Sequence, residues 1–224
     1  MPAIFITGAG TDVGKTYVAA GLVRLLRRRG QPVDALKPVV SGFNPGSPSG
    51  SDPAILLDAL GRAMTEEEFA RISPWRFRAP LSPDMAAQAE GRAIAFQELI
   101  DFCQAAIART DGLLLIEGVG GLMVPLDDRH TVLDLMVGLG LPLIFVGGSY
   151  LGAISHILTG LDALLRRNLD VRAIVISETP GSSVALGAIA TTLAHFTQAP
   201  LLTLPHQSPA AQGGEVFEQL AELL

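Results

Sequence analysis

Short apolar runs alternate with longer amphipathic stretches along most of this chain. Residues 3–7 (AIFIT), 32–36, 112–116 (GLLLI), 142–146 (PLIFV) and 171–176 (VRAIVI) have the length and continuity of strands buried on both faces. Residues 201–204 suggest a last strand. Helical spacing fills the intervals. In residues 15–29, Val18, Leu22, Leu25 and Leu26 share one side. Further helices are expected at 96–108, 131–137, 153–166, 182–192 and 215–223. Continuous apolar strands separated by helices predict an α/β fold of the P-loop NTPase type: a mostly parallel sheet with helices on both faces and right-handed crossovers.

One interval breaks the rhythm. Residues 41–89 are rich in Pro, Gly and Ser, opening with FNPGSPSGSDP and later reading SPWRFRAPLSPD, with a helical pair around 54–60 and 66–71. Long irregular excursions in compact domains usually carry function. We therefore expect one domain over 1–224, with this insertion forming a substrate wall above the sheet. A second stretch could mislead: residues 135–161 contain no Asp, Glu, Lys or Arg, long enough to span a bilayer. Its six glycines and Pro142 instead read as helix end, buried strand, loop and helix, so no membrane partner is expected.

Composition narrows the function. In 224 residues, 49% are hydrophobic and the formal net charge is −6, enough for a large core and unfavourable to nucleic acid. Arg27, Arg28 and Arg29 form the one basic run, at a helix end where cations complement the dipole. The lone Cys103 excludes an internal disulfide and sits on a packed helix face; His130, His156, His195 and His206 lack metal-ligand spacing. The start MPAIFITG has no basic n-region, so a cytoplasmic protein is expected.

The strongest local signal follows the first strand. Residues 8–16 read GAGTDVGKT and lead straight into a helix, the context a phosphate-binding loop needs. Backbone amides of such a loop converge on phosphate oxygens, Lys15 reaches the β- and γ-phosphates, and the Thr16 hydroxyl is placed for magnesium. The spacing is G-x5-GKT, counted from Gly8, rather than the commoner G-x4-GK[ST]. In an open parallel sheet, ligands bind beyond the carboxyl ends of the strands. Lys37 follows the second strand, Glu117-Gly118-Val119-Gly120 the GLLLI strand, Ser177-Glu178 the VRAIVI strand and Pro205-His206 the last. Lys37 could be a second ammonium facing a transferred phosphoryl group. Glu117 stands where a Walker B-like carboxylate is expected. Asp52, in Ser-Asp-Pro, is a third metal-ligand candidate or an ordinary helix start.

Together TGAGTDVGKT (7–16), KPVVSG (37–42), Ser51-Asp52, the 73–83 stretch with EGR at 90–92, EGVGGLMVPL (117–126), and Leu151-Gly152 with His156 resemble the dethiobiotin synthetases along most of the chain. The resemblance implies an ATP-dependent cyclo-ligase that closes a ureido ring from 7,8-diaminopelargonate, CO2 and ATP with Mg2+, as a homodimer with substrate near the interface. On this chain it makes Lys15, Lys37 and Thr11 catalytic and assigns magnesium to Thr16, Asp52 and Glu117. Nucleotide contacts fall on Asp12, Val13, Gly14, Lys15, Thr16, Tyr17, Asp52, Glu117, Gly118, Val119, Gly120, Ser177, Glu178, Pro205 and His206. Substrate contacts fall on Thr11, Ser41 and the helix start at Gly152, Ala153, Ile154 and Ser155, a natural carboxylate site.

Four positions depart from the family pattern: Gly10 for a frequent Asp, Ser155 for a frequent Asn, and Ser177-Glu178 for an Asn-Asp-like pair that reads adenine. Serine cannot offer the paired donor and acceptor of an amide, so base preference is left open. Two alternatives stand beside the ligase. One is a partitioning-type ATPase switch, opposed by glycine at position 10 where those proteins carry lysine. The other is a ligase of the same subgroup acting on another substrate.

Overall fold

The computed structural model describes residues 3–206 and 214–224. Its core is a six-stranded sheet in which every pairing is parallel. The strands are β1 (Ala3–Gly8), β2 (Val33–Leu36), β5 (Leu113–Glu117), β6 (Leu143–Gly147), β7 (Val171–Ser177) and β8 (Leu201–Leu204), in the order β2-β5-β1-β6-β7-β8. Successive residues of a strand point to opposite faces, and Ile4, Phe5 and Ile6 are all buried, as are Leu143 through Val146. Both faces of the sheet are therefore covered, and each such side chain contributes roughly 1.5–3 kcal/mol of burial. From β1 the chain passes to β2 on one side and later returns to β6 on the other, so the strand order reverses beside β1. The loop after β1 lies at that crevice.

The helices are α1 (Lys15–Arg28), α2 (Asp52–Leu60), α3 (Glu66–Ile72), α4 (Pro83–Ala89), α5 (Phe96–Arg109), α6 (Val132–Leu139), α7 (Ala153–Arg166), α8 (Leu186–Leu193) and α9 (Glu215–Glu222). Two helices pack on α1. Against α2, Arg27 of α1 donates to the carbonyl of Ala59 at 2.8 Å. The basic run thus serves the dipole of α2, the neighbouring helix, as well as its own. Against α9, a Cβ placed on Gly21 would lie 2.1 Å from Phe217 Cζ, so only glycine lets the buried Phe217 ring rest on the α1 backbone.

Most expected elements appear within one or two residues of their sequence bounds. Pro32 and Pro142 fall outside their strands, having no N–H for the ladder, and their carbonyls instead accept from Leu113 and Phe5. Thr131 is not the first residue of α6 but its cap, in a reciprocal box with Asp134. The expected helix from 182 begins only at Leu186, because the Ser182 hydroxyl donates to Ser149 O and accepts from Val184 N. Such local bonds compete with helix.

The insertion and the residues leading into it contain more order than the sequence suggested. Val39–Val40 (β3) and Trp75–Arg76 (β4) pair as a separate two-stranded parallel sheet. This brings the chain after Lys37 alongside the SPWRFRAP stretch and sets α4 above the carboxyl edge. At that edge β6 and β7 are clasped: Ser149 N donates to Thr179 Oγ1 at 3.0 Å, and Thr179 N donates to Ser149 Oγ at 2.9 Å.

Candidate active site

The loop between β1 and α1 turns through two left-handed residues, Asp12 (φ 57) and Gly14 (φ 95). Successive amides in such a turn point the same way and form a concave anion site. Gly14 caps α1 with its backbone, and a Cβ there would also meet Ser177 Oγ at 2.6 Å, so the end of β7 presses on the loop from behind. Lys15 curls back and its Nζ donates to Gly10 O at 2.7 Å. Burial, and then repulsion from Lys37, lower the Lys15 pKa from 10.5 to about 8.

Four side chains meet beside this loop: three at the carboxyl edge of the sheet, next to the ends of β1, β2 and β5, and one from the insertion. The Thr16 hydroxyl lies 2.7 Å from Glu117 Oε1 and 2.9 Å from Asp52 Oδ1. Lys37 Nζ lies 2.6 Å from Glu117 Oε1 and 2.8 Å from Asp52 Oδ2, and donates to Gly118 O at 2.8 Å. Asp52 is at once the first residue of α2 and part of this cluster, so its two readings from sequence are compatible. Lys37 and Glu117 are each about 1% exposed. Burial works against the Lys37 charge, but Glu117 and Asp52 overcome it and raise the ammonium's pKa. Burial raises the Glu117 carboxyl pKa against the pull of Lys37, with Asp52 adding to the rise. For Asp52 burial is outweighed by Lys37, which holds that carboxyl low.

Above the cluster is a cavity of about 760 Å³. Of the residues predicted from sequence, Thr11, Asp12, Gly14, Lys15, Thr16, Tyr17, Lys37, Ser41, Asp52, Glu117, Val119 and Gly120 line it. The insertion supplies the opposite wall through Ser41, Gly42, Gly50, Ser51, Asp52, Ile55 and residues 80–83. Pro80, Leu81, Ser82 and Pro83 were not singled out individually; their sequence signals were the Pro-rich run and their place in the 73–83 stretch. Val40 and Val124, also in the lining, fell within the KPVVSG and EGVGGLMVPL motifs without being assigned a role. The Ser41 hydroxyl is buried with no protein partner among the described residues.

Other predicted residues lie outside this lining. Val13 is buried behind the loop, its Cγ2 occupying the space a side chain at position 8 would need. Gly118 contributes its carbonyl to Lys37. Glu178 accepts from the backbone N–H of His206 at 2.8 Å, joining the ends of β7 and β8 with Pro205 between them. Gly152, Ala153, Ile154 and Ser155 form the first turn of α7, beside the almost fully exposed Leu151 (92%) and apart from the cavity.

Thr16, Asp52 and Glu117 are an all-oxygen donor set, and Glu117 Oε2 is buried without a protein partner among the described residues. Such donors suit a hard divalent cation. Two flanking ammonium groups and a concave amide loop suit a polyphosphate.

Comparison with known proteins decides the family. An ATP-dependent dethiobiotin synthetase of Caulobacter sp. (strain K31) is 53% identical over 180 residues, covering 80% of this chain and 77% of that protein. One from Phenylobacterium zucineum (strain HLK1) is 44% identical over 224 residues, covering 99% of this chain and 96% of that protein. The chain belongs to the dethiobiotin synthetase family. Dethiobiotin synthetases are ATP-dependent ligases that form carbon–nitrogen bonds, and the P-loop and its cavity are in keeping with that class. A model described as AAA domain matches residues 2–210. Among solved structures, the cell division ATPase MinD of Pyrococcus furiosus covers the whole chain with a TM-score of 0.57 at 15% identity. That likeness confirms the P-loop α/β fold.

Proposed function

We propose that this dethiobiotin synthetase closes the ureido ring of dethiobiotin from 7,8-diaminopelargonate, CO2 and ATP in the cavity beside the β1–α1 loop. One amine of the substrate adds to CO2 and loses a proton, giving a carbamate. A carbamate oxygen attacks the γ-phosphorus and ADP leaves. The second amine then attacks the carbamate carbon, and phosphate departs with that oxygen as the ring closes.

The observation that carries this reading is the convergence of Lys15, Lys37, Thr16, Asp52 and Glu117 on one cavity. The loop amides bind the phosphate chain. Lys15 and Lys37 offset charge that spreads over the equatorial oxygens during transfer, and fixed charges of this kind act without reorganisation. Thr11, Asp12 and the unpartnered Ser41 hydroxyl orient the carbamate and the phosphates. Thr16, Asp52 and Glu117 would hold magnesium, which when bound neutralises triphosphate charge. The insertion keeps water from the mixed anhydride. Ser177, Glu178, Pro205 and His206 form the rim facing the base.

A homodimer in the cytoplasm fits the remaining features. No described helix is long and apolar enough to cross a membrane. The α7 first turn is absent from its own protomer's cavity, while exposed Leu81, Met85, Met123 and Leu151 offer apolar surface for a second copy. That copy's α7 turn would receive the substrate's carboxylate tail. The test is product formation: ADP, phosphate and dethiobiotin should appear only when diaminopelargonate and bicarbonate are both supplied. ATP consumption indifferent to the diamine would overturn the reading.

A further inference from the structure

The Lys37 ammonium stands on oxygens that the proposed reaction gives to a metal. It lies 2.6 Å from Glu117 Oε1 and 2.8 Å from Asp52 Oδ2, and Thr16 bonds that same Glu117 oxygen and the other Asp52 oxygen. A hard divalent cation approaches such oxygens to about 2.1 Å. It would then sit within a few ångströms of a buried positive charge, with little solvent to screen the repulsion. Ammonium and metal therefore compete for one pair of carboxylates.

Lys37 has little freedom to withdraw. An ammonium has three N–H bonds, and all three are engaged, by Glu117, Asp52 and the Gly118 carbonyl. The side chain is buried except where it borders the cavity. Leaving the carboxylates without another anion would strand a charge at high cost. A triphosphate seated on the loop supplies that anion on the cavity side.

We propose that Lys37 is the resident counter-ion of the metal carboxylates and makes divalent-cation binding conditional on the triphosphate. This rests on the assignment of Thr16, Asp52 and Glu117 as metal ligands. When the triphosphate binds, Lys37 transfers its contacts from the carboxylates to phosphate oxygens, and the cation takes the oxygens it releases. Lysine and metal thus exchange partners, so both stand around the phosphates only once the nucleotide is in place.

The test uses Mn2+ as probe, with free ion counted by electron paramagnetic resonance. Without nucleotide, Lys37→Met should bind Mn2+ at least about tenfold more tightly than wild type, and adding Glu117→Gln should abolish the gain. Equal affinity of Lys37→Met and wild type overturns the proposal. A control that keeps Lys37 separates it from its premise: with a non-hydrolysable ATP analogue present, Glu117→Gln alone should bind Mn2+ more weakly than wild type, and failure there overturns the metal-site assignment itself. Should Lys37→Met not fold, wild-type crystals serve. Soaked in Mn2+ alone they should show no anomalous peak at Asp52 and Glu117. With Mn2+ and the analogue they should show the peak and Lys37 Nζ displaced. A peak without nucleotide, with Lys37 still on both carboxylates, would refute the exchange.

Discussion

Replacing Gly21 with alanine sets two known effects against each other inside α1. Alanine is the better helix former by about 1 kcal/mol, so in an exposed helix the change would stabilise. Here the new Cβ would fall 2.1, 2.3 and 2.7 Å from three atoms of the Phe217 ring, whereas real Cβ contacts stay beyond 3.0 Å. Phe217 is 1% exposed and cannot swing away without moving α9. Overpacking typically costs about 1–3 kcal/mol, and three ring atoms inside the 3.0 Å limit put this clash in the upper part of that range, at about 2–3 kcal/mol, so the clash should win and leave a net loss of about 1–2 kcal/mol. For a chain of this size that lowers Tm by roughly 2–8 °C.

The decisive measurement is the same substitution in a Phe217→Leu background. With the ring gone, the added methyl has room and only the propensity gain remains, so Gly21→Ala should then stabilise by up to about 1 kcal/mol. Urea unfolding of the four proteins closes a double-mutant cycle with a coupling of about 2–3 kcal/mol. Tyr17 lines the cavity and packs on the same ring, with centroids 6.1 Å apart, so the clash should also weaken ADP binding. A Gly21→Ala effect of the same sign in both backgrounds would refute this account of the α1–α9 contact.

Other outcomes follow from the site and the core. Lys37→Ala should lower kcat by roughly 10²–10³-fold, the loss of a preorganised charge at the reacting group, while ADP binding persists; a wild-type rate would remove Lys37 from the mechanism. With Lys15 held at about 8, raising the pH from 7 to 9 discharges it in the free protein, and ADP affinity measured by calorimetry should fall about tenfold. The sign for folding is the reverse. Between about 8 and 10.5 the unfolded chain binds more protons, so this lysine's contribution to stability rises with pH by up to about 3 kcal/mol. Burial pushes the Cys103 thiol up to about 12, so a disulfide reagent should modify it only in denaturant.

The frame of the molecule was legible because its signals are long. Runs such as LLLIE and LIFVG are apolar at every position but the last because the strands are covered on both faces, and the phosphate loop declares itself by its place between strand and helix. Lys37 and Glu117 were legible as charges directly after such runs. What escaped has no period to read. The two-residue strands β3 and β4 are too short for alternation, and the wall at residues 80–83 is made of prolines whose neighbours are chosen by three-dimensional proximity. The late start of α8 depends on a bond from Ser182 to Ser149, 33 residues away, which no local propensity contains. The metal-ligand assignment came from position and resemblance; the pairing of Lys37 with both acids needed coordinates.

The reciprocal bonds between Ser149 and Thr179 have a mechanical consequence. They join the chain leaving β6, which runs on to the first turn of α7, to the chain leaving β7, which carries Ser177 and Glu178. Neither segment can pivot alone without rupturing both bonds. The grips proposed for the diamine's tail and for the nucleotide's heterocycle would thus belong to a single lever, and a strain introduced at one would be delivered to the other.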